Sequence, residues 1–349
     1  MAAAAPLLAE ASQAFGQLAG LGRILPNPDL LVRPYMRREA VLSSRIENTH
    51  TSFSELVAFE FTREEAGDGS AREVLNYVAA LEYGLRHVFE HGITMDLVRG
   101  IHRTLMQGAR GERTSTPGEI RMVQNHIGGG STDPADAHFV PPPPEYVPEL
   151  LERLFEYLSA PKPGVPTLTE AAWMHYQFET IHPFLDGNGR VGRVLIPLLF
   201  ALRNEMPHPL LYLSPYFEHN RSRYYDLLFA VSARSEWAAW HQYFLEGVRD
   251  QSRTAIELAE RILDLGAKWQ RLLDEQGAPR TAHRLAELVH QQLAVDGPTA
   301  AKLLGVSKVT AYKAIYTLVD AGILVQHGER ARDRVYIAGE LRDMMEAAS

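Results

Sequence analysis

The chain has 349 residues, of which 46% are hydrophobic and 22% are charged, close to the averages of soluble globular proteins. Its 35 basic and 43 acidic side chains give a net charge of −8, which argues against a protein that mainly coats nucleic acid or anionic membrane. Because the chain contains no cysteine, disulfides, thiolate-bound zinc and cysteine nucleophiles are excluded. We find neither a convincing signal peptide nor an apolar stretch of about 20 residues, and we expect a cytoplasmic protein with no membrane contact.

Apolar residues recur at three- and four-residue spacing along most of the chain, as in Val74, Tyr77, Val78 and Leu81. This spacing places them on one face of a helix, so we predict a mainly α-helical fold. We assign residues 1–100 to an N-terminal helical region. Within it, Ser43-Ser44-Arg45-Ile46-Glu47-Asn48 lies on a predicted helix and, taken alone, is an ordinary helical segment that carries a glutamate.

The segment from Gly118 to Pro144 interrupts the helical pattern. It contains three consecutive glycines from Gly128 and four consecutive prolines from Pro141, which the interior of a helix does not tolerate. We predict a hairpin or extended flap here, inside a core domain that spans residues 101–250.

The sequence HPFLDGNGRVGR, residues 182–193, follows one predicted helix and leads into the next. Pro183 and the glycines Gly187 and Gly189 separate the two helices. A turn of this kind exposes backbone N–H groups at the start of a helix, which is a ready site for phosphate.

The side chains of this turn suit a phosphate ligand. Asp186 offers an oxygen ligand for Mg²⁺, and Asn188 can donate to a phosphate oxygen. Arg190 and Arg193 can each make forked, charge-assisted bonds to phosphates. His182, with an ordinary pKa near 6.5, could accept the proton of an attacking hydroxyl. Each residue alone has a structural explanation, but their co-occurrence within twelve residues predicts phosphoryl-transfer chemistry.

Residues 251–276 form a charged helical stretch that we interpret as a linker, and a break at Pro279 precedes a smaller domain at 277–349. Two predicted helices joined by a tight turn at Gly305, and then two short strands around Gly328 to Arg334, resemble a winged helix-turn-helix. DNA binding through 297–337 is one interpretation, and a dimerisation or substrate-docking module is the other. The candidate residues for contacts to DNA are Ser307, Lys308, Thr310 and Lys313 on the second helix and Arg330, Arg332 and Arg334 on the wing. Against DNA binding, residues 281–349 contain 8 basic and 8 acidic side chains and thus no excess of positive charge.

The turn at 182–193 matches, without a departure, the signature H-P-F-x-[DE]-G-N-G-R-x-x-R of the Fic family, and the resemblance covers roughly residues 30 to 250. It implies a Fic-type helical domain that transfers AMP from Mg-ATP to a Ser, Thr or Tyr hydroxyl of a target protein, with the chain itself as one candidate target. A homodimer is a further expectation. In that family the histidine is the general base, the acidic residue holds Mg²⁺, and the remaining positions grip the nucleotide phosphates. These roles map onto His182, Asp186, Gly187, Asn188, Gly189, Arg190 and Arg193.

The segment Ser43 to Asn48 is similar to the inhibitory pattern [ST]-x-x-x-E-[GN] of the same family. The resemblance implies that Glu47 pairs with Arg193 and prevents this arginine from binding the γ-phosphate of ATP. The basal rate of AMP transfer is then expected to be low.

Two further assignments come from the family. The flap resembles a hairpin that orders a target segment by strand addition, with Met122, Val123, His126 and Ile127 as candidate contacts; a plain surface hairpin is the alternative. Related proteins build the adenine site at the positions of Tyr216, Asn220 and Tyr224, next to Tyr225, although aromatic residues at helical spacing are also typical of a core.

Two other functions stay open. Glu47 could activate a water that removes AMP from a modified protein, or the chain could be a DNA-binding regulator whose Fic portion senses nucleotide. A kinase-like reaction with another nucleotide is less favoured, because the turn and the inhibitory segment both follow the ATP-using pattern.

Overall fold

A computed structural model describes residues 5–62, 69–109, 115–128, 137–328 and 334–347, and within these ranges the fold is mainly helical, as predicted. None of the described helices is both long and apolar enough to span a bilayer. The helices that precede the flap are α1 (Ala5–Ile24), α2 (Asp29–Ile46), α3 (Phe53–Thr62), α4 (Ser70–His91) and α5 (Met95–Met106). After the flap and a short 3-10 turn come α6 (Val147–Leu158), α7 (Thr167–Ile181), α8 (Asn188–Leu202), α9 (Ser214–His219), α10 (Arg221–Arg234) and α11 (Trp237–Glu275).

Helix α8 is the centre of this bundle. It packs against α2, α4, α5 and α7, and every residue from Val191 to Ala201 is buried. Within it, the stretch 194–201 is apolar on all sides, and such a helix is stable only when other helices surround it. This burial fixes the position of the first turn of α8, where the candidate phosphate site begins.

Helix α2 contributes polar residues to the same interior. It packs against α4, α8 and α9, and Glu39 and Ser43 are both buried. Since buried polar groups require partners, it is significant that Glu39 accepts hydrogen bonds from the hydroxyls of Tyr77 and Ser214. The polar face of α2 is therefore held in one orientation relative to α8.

Helix α11 is the longest element of the described chain, with 39 residues. It packs against α7 and α1, and Arg249 in its first half forms an ion pair with Glu10 of α1. Residues 251–276, interpreted from the sequence as a linker, form the later part of this helix and bury Leu258, Ile262 and Leu265. The division of the chain into domains stays a prediction.

The C-terminal region contains α12 (Arg280–Gln292), β1 (Ala294–Asp296), α13 (Gly297–Leu304), α14 (Lys308–Asp320), β2 (Leu324–His327), β3 (Val335–Ala338) and α15 (Gly339–Ala347). The strands form an antiparallel sheet in the order β1-β3-β2, with Ala294 opposite Ile337 and Leu324 opposite Ala338. Two helices, a tight turn and two strands lie where the sequence predicted them, and β1 and α15 are additional. Arg330 and Arg332 lie outside the described residues, and the winged helix-turn-helix stays a prediction.

This C-terminal region packs directly on the N-terminal helices. Helices α12 and α15 both contact α2, and α15 and the strands β1 and β3 contact α3. At this junction the Ser54 hydroxyl donates a hydrogen bond to Glu346 Oε1 at 2.9 Å. The helix with the candidate inhibitory segment therefore touches both the centre of the bundle and the C-terminal region.

The packing of α11 on α7 gives a stability prediction. Trp240 is fully buried, and its Nε1–H donates to the carbonyl of Ala172 at 2.9 Å, whereas Trp173 is 36% exposed. We expect Trp240→Ala to lower the free energy of unfolding by about 3–5 kcal/mol, because it leaves a cavity and removes the indole donor to the Ala172 carbonyl. The matched control Trp173→Ala is expected to cost less than about 1 kcal/mol. Equal losses for the two variants in urea denaturation would contradict this assignment of the core.

Candidate active site

The turn between α7 and α8 is held by its own side chains. Asn188 Oδ1 accepts from Phe184 N, and Asn188 Nδ2 donates to Phe184 O, both at 2.8 Å. The Phe184 ring stacks on His102 with 3.7 Å between centroids. At the two ends of the turn, His182 (φ 50°) and Gly187 (φ 78°) adopt left-handed backbone conformations. Both polar atoms of the Asn188 side chain are engaged with Phe184, and its contact with phosphate stays a prediction.

The imidazole of His182 is oriented for accepting a proton. Its Nδ1 lies 3.2 Å from the carbonyl oxygen of Glu179. A carbonyl can only accept, so Nδ1 carries the hydrogen and Nε2 is left with a free lone pair. Burial lowers the pKa of His182 to about 4, which keeps the ring neutral at pH 7.

Arg193 is buried against α2. Its Nε donates to Ser43 Oγ at 2.8 Å, and its Nη2 donates to the Ser43 carbonyl at 3.1 Å and to Glu47 Oε1 at 2.7 Å. Burial alone would raise the pKa of Glu47, but the charge and hydrogen bond of Arg193 outweigh it and hold that pKa below its usual range. The structure thus contains the pair that the sequence resemblance implied.

The backbone at the end of α2 and the neighbouring residues restrict the position of the Glu47 side chain. Ser43 and Glu47 are four residues apart and share one helix face. The next residue, Asn48, has φ 61°, a left-handed conformation that asparagine and glycine tolerate best, and its Oδ1 accepts from Arg221 Nη1 at 2.9 Å. Across the site, a Cβ at Gly189 would collide with Glu47 Oε1. These constraints explain why the segment ends in asparagine and why residue 189 has no side chain.

Arg190 interacts with Asp186 of the same turn and with Glu73 of α4. Arg190 is buried, with Nη1 3.5 Å from Glu73 Oε2 and Nη2 3.6 Å from Asp186 Oδ1. The Asp186 side chain is 58% exposed. Among the described residues, no cluster of three or more His, Asp or Glu side chains could hold a metal. One open carboxylate beside the start of α8 fits Mg²⁺, which takes one or two carboxylates and completes its shell with phosphate oxygens and water.

A cavity of about 520 Å³ brings several of the candidate residues together. Leu228, Phe229 and Tyr225 of α10 form part of its wall. The candidates that line it are His182, Gly189, Arg193, Glu47, Asn48, Tyr224, His126 and Ile127.

Nine candidates do not line this cavity: Ser43, Met122, Val123, Asp186, Gly187, Asn188, Arg190, Tyr216 and Asn220. Tyr216 points to α11, where its hydroxyl donates to Glu246 at 3.3 Å, and Asn220 donates to the carbonyl of Tyr216. Met122 and Val123 are exposed on the surface, Met122 to 87%. Tyr224 is mostly a core residue, hydrogen-bonded through its hydroxyl to His175, so its neighbour Tyr225 is the more open aromatic ring of the cavity.

The flap reaches the cavity through one β-bridge. Ile127 N donates to Phe139 O at 2.9 Å, and Phe139 N donates back to Ile127 O at 3.2 Å. Residues 129–136, with two of the three glycines, lie outside the described residues.

Arg121 was not singled out from the sequence. Its buried guanidinium donates to the carbonyls of His182 at 2.8 Å and Val123 at 3.2 Å, and its backbone N–H donates to Pro183 O at 2.9 Å. It therefore joins the base of the flap to the turn that carries the imidazole. An arginine between two apolar residues gives no sequence signal for this role.

Comparison with known proteins identifies the family. Residues 5–86 match the family model described as Fic/DOC family N-terminal, and residues 92–200 match the Fic/DOC family itself. The chain therefore belongs to the Fic/DOC family, and the sequence resemblance to Fic proteins is confirmed.

Several curated proteins are similar to this chain over part of their length. The protein adenylyltransferase fic-1 of Caenorhabditis briggsae is 31% identical over 143 residues, which are 40% of this chain and 26% of that protein. A probable protein adenylyltransferase of Aquifex aeolicus is 45% identical over 60 residues, 17% of this chain and 18% of that protein. The chain thus matches about a quarter or less of the length of these relatives.

Solved structures share the fold. A Fic family protein from Desulfovibrio desulfuricans G20 superposes with a TM-score of 0.59 at 19% identity, over 95% of this chain and 96% of that one. Fic-1 from C. elegans superposes with a TM-score of 0.58 at 18% identity, over 74% of each chain.

The contacts of Arg121 predict how the site is held. We expect Arg121→Met to lower the free energy of unfolding by about 1.5–3 kcal/mol, because buried carbonyls lose a charged donor. Amide hydrogen exchange should accelerate in 120–127 and in the turn at 182–184. Arg153→Met, at an exposed arginine on α6, serves as the control. If both variants exchange like the wild type in these two segments, Arg121 does not join them.

Proposed function

We propose that this protein is a protein adenylyltransferase that moves AMP from Mg-ATP to the hydroxyl of a Ser, Thr or Tyr residue of a target protein. The observation that carries the proposal is the position of a neutral imidazole with a free Nε2 in one cavity with Arg193 and the start of α8. The names of the related adenylyltransferases support the same activity.

The reaction is an in-line displacement at the α-phosphorus. The target hydroxyl oxygen forms a bond to this phosphorus, the bond to the bridging oxygen of the β-phosphate breaks, and pyrophosphate leaves. His182 Nε2 takes the hydroxyl proton. The products are a protein–AMP phosphodiester and pyrophosphate, and no covalent intermediate with the enzyme is required.

Positioning and charge stabilisation supply most of the catalysis in such a reaction. The N–H groups of the first turn of α8 and the guanidinium of Arg190 bind phosphate oxygens. Asp186 would hold Mg²⁺, which neutralises phosphate charge when it is bound. Arg193 binds the terminal phosphate of ATP once it is free to do so.

The pair of Glu47 and Arg193 makes the protein autoinhibited. The guanidinium already has three acceptors, from Ser43 and Glu47, and it cannot also bind a γ-phosphate in the same place. ATP then binds without its third phosphate anchored, in a pose unsuited to in-line attack. Loss of the Glu47 carboxylate removes this competition.

This competition predicts activation by mutation. Glu47→Gly should increase AMP transfer about 10- to 100-fold, because a hydrogen bond between charged groups contributes about 1.5–3 kcal/mol. Glu47→Gln, which keeps the size but removes the charge, should give a smaller increase. Protein label from α-labelled ATP, with γ-labelled ATP in parallel, measures the transfer.

His182→Ala in the Glu47→Gly background is the control and should carry no label. Equal labelling of wild type and Glu47→Gly over a range of Mg-ATP would contradict autoinhibition, and protein label from the γ position would contradict AMP transfer.

The pKa of His182 predicts the pH profile. Only the neutral imidazole can accept the proton, and burial lowers its pKa to about 4. For Glu47→Gly at saturating ATP, kcat should therefore stay level between about pH 8 and pH 6, whereas an ordinary histidine would lose about half of its neutral form at pH 6.5. A loss of kcat with a midpoint near 6.5 would show that the ring is not buried in this way.

Removal of AMP is the second candidate, because Glu47 lies in the cavity with His182 and its side chain is 30% exposed. Release of AMP from a modified target without added ATP would favour it. DNA binding through 297–337, a homodimer and a cytoplasmic location stay predictions.

A further inference from the structure

Glu179 adds a carboxylate to the active-site cavity that the proposed reaction does not use. It lies on α7, one turn before His182, and its side chain lines the cavity together with Glu47 and Arg193. Its Oε1 is buried and accepts no hydrogen bond from the described part of the chain. An acid in this position is unusual, because buried polar groups are normally paired.

The charge of Glu179 depends on its neighbours. Burial raises its pKa to about 8, with Arg193 opposing the shift and Glu47 adding to it. The hydroxyls of Tyr224 and Tyr225 on α10 also face it, and both stay neutral at pH 7 because burial raises their pKa values. Glu179 is therefore mostly uncharged at neutral pH while Glu47 is paired with Arg193.

Two glycines of α8 bring both carboxylates to the same turn of the helix. A Cβ at Gly192 would collide with Glu179 Oε1, and a Cβ at Gly189 would collide with Glu47 Oε1. Gly192 directly precedes Arg193, and Gly189 lies one turn before it. Glycine at each position thus leaves space for a carboxylate beside the helix that carries Arg193, and both glutamates line the same cavity as this arginine.

We infer that Glu179 is a second partner of Arg193, which pairs with this arginine when Glu47 is withdrawn and retains part of the inhibition. The inference rests on the proposed function, because it concerns the same arginine and the same nucleotide. It makes Glu179 a positioning residue that acts on ATP through Arg193.

The electrostatics favour this exchange of partners. Withdrawal of Glu47 leaves the buried guanidinium of Arg193 without an anion, which is costly in a low-dielectric interior. It also removes the negative charge that disfavours ionisation of Glu179. An incoming triphosphate must then displace Glu179, so the effect of Glu179 is small while Glu47 is present and visible when it is absent.

The test is the affinity of the full chain for ATP and for AMP, measured by calorimetry between pH 6 and pH 9. All proteins carry His182→Ala, so that no turnover occurs. Removing Glu179 by Glu179→Gln in the Glu47→Gly background should tighten ATP binding about five- to tenfold, the lower range of typical coupling between sites. This increase in ATP affinity should become larger as the pH rises, because the Glu179 carboxylate that the substitution removes is then ionised. AMP has no terminal phosphates for Arg193, so its affinity should not change.

Controls separate this effect from a structural one. With Glu47 present, Glu179→Gln should tighten ATP binding by less than about twofold at neutral pH, because the acid is already uncharged. Glu82→Gln, at an exposed glutamate of α4, should change neither affinity in the Glu47→Gly background. In versions that retain His182, the double variant should lower KM for ATP with little change in kcat.

Equal ATP affinity of Glu47→Gly and the double variant at every pH overturns the inference, and so does a change that is as large for AMP as for ATP. A failure of the proposed function is distinguishable from both. It would appear as an absence of α-label in the variants that retain His182, while the pattern of ATP affinities remained as expected.

Discussion

The buried guanidinium of Arg193 is the constraint on which the rest of the site depends. A charge removed from water needs good acceptors, and α2 supplies them from Ser43 and from Glu47 four residues later. The left-handed turn at Asn48 ends α2 at that carboxylate, and the missing side chain of Gly189 leaves space for it. The four-residue spacing on α2, the left-handed turn at Asn48 and the packing of α8 thus all favour the ion pair between Glu47 and Arg193.

The same arginine connects the candidate inhibitory segment, Ser43 to Asn48, with the centre of the helical bundle. Its helix α8 is surrounded by α2, α4, α5 and α7, so Arg193 itself has little freedom to move. The other partner is less constrained, since Glu47 directly follows the end of α2 and its side chain is 30% exposed. Helices α12 and α15 of the C-terminal region also pack on α2. In the proposed function, release of inhibition is therefore a displacement at the end of α2 and not a rearrangement of the catalytic turn.

Much of the site could be predicted because its residues are close in sequence. His182, Asp186, Arg190 and Arg193 belong to one turn and the helix after it, and the pattern around Glu47 is also local. Contacts between distant segments gave no such signal. Arg121 joins the flap to the catalytic turn, Glu179 is defined by what α2 and α8 bring near it, and Tyr216 points to α11 because Gly247 makes room for its ring there. Spacing predicts which face of a helix a residue occupies, but not which neighbour that face meets.

The most direct test of the account is a comparison of ATP and AMP binding to wild type and Glu47→Gly, with His182→Ala in both to prevent turnover. If Glu47 and the terminal phosphate compete for Arg193, ATP should bind at least about tenfold more tightly to Glu47→Gly, as expected for the loss of one hydrogen bond between charged groups, while AMP binds equally to both. Equal ATP affinities would show that the ion pair between Glu47 and Arg193 does not compete with the nucleotide, and would contradict the account.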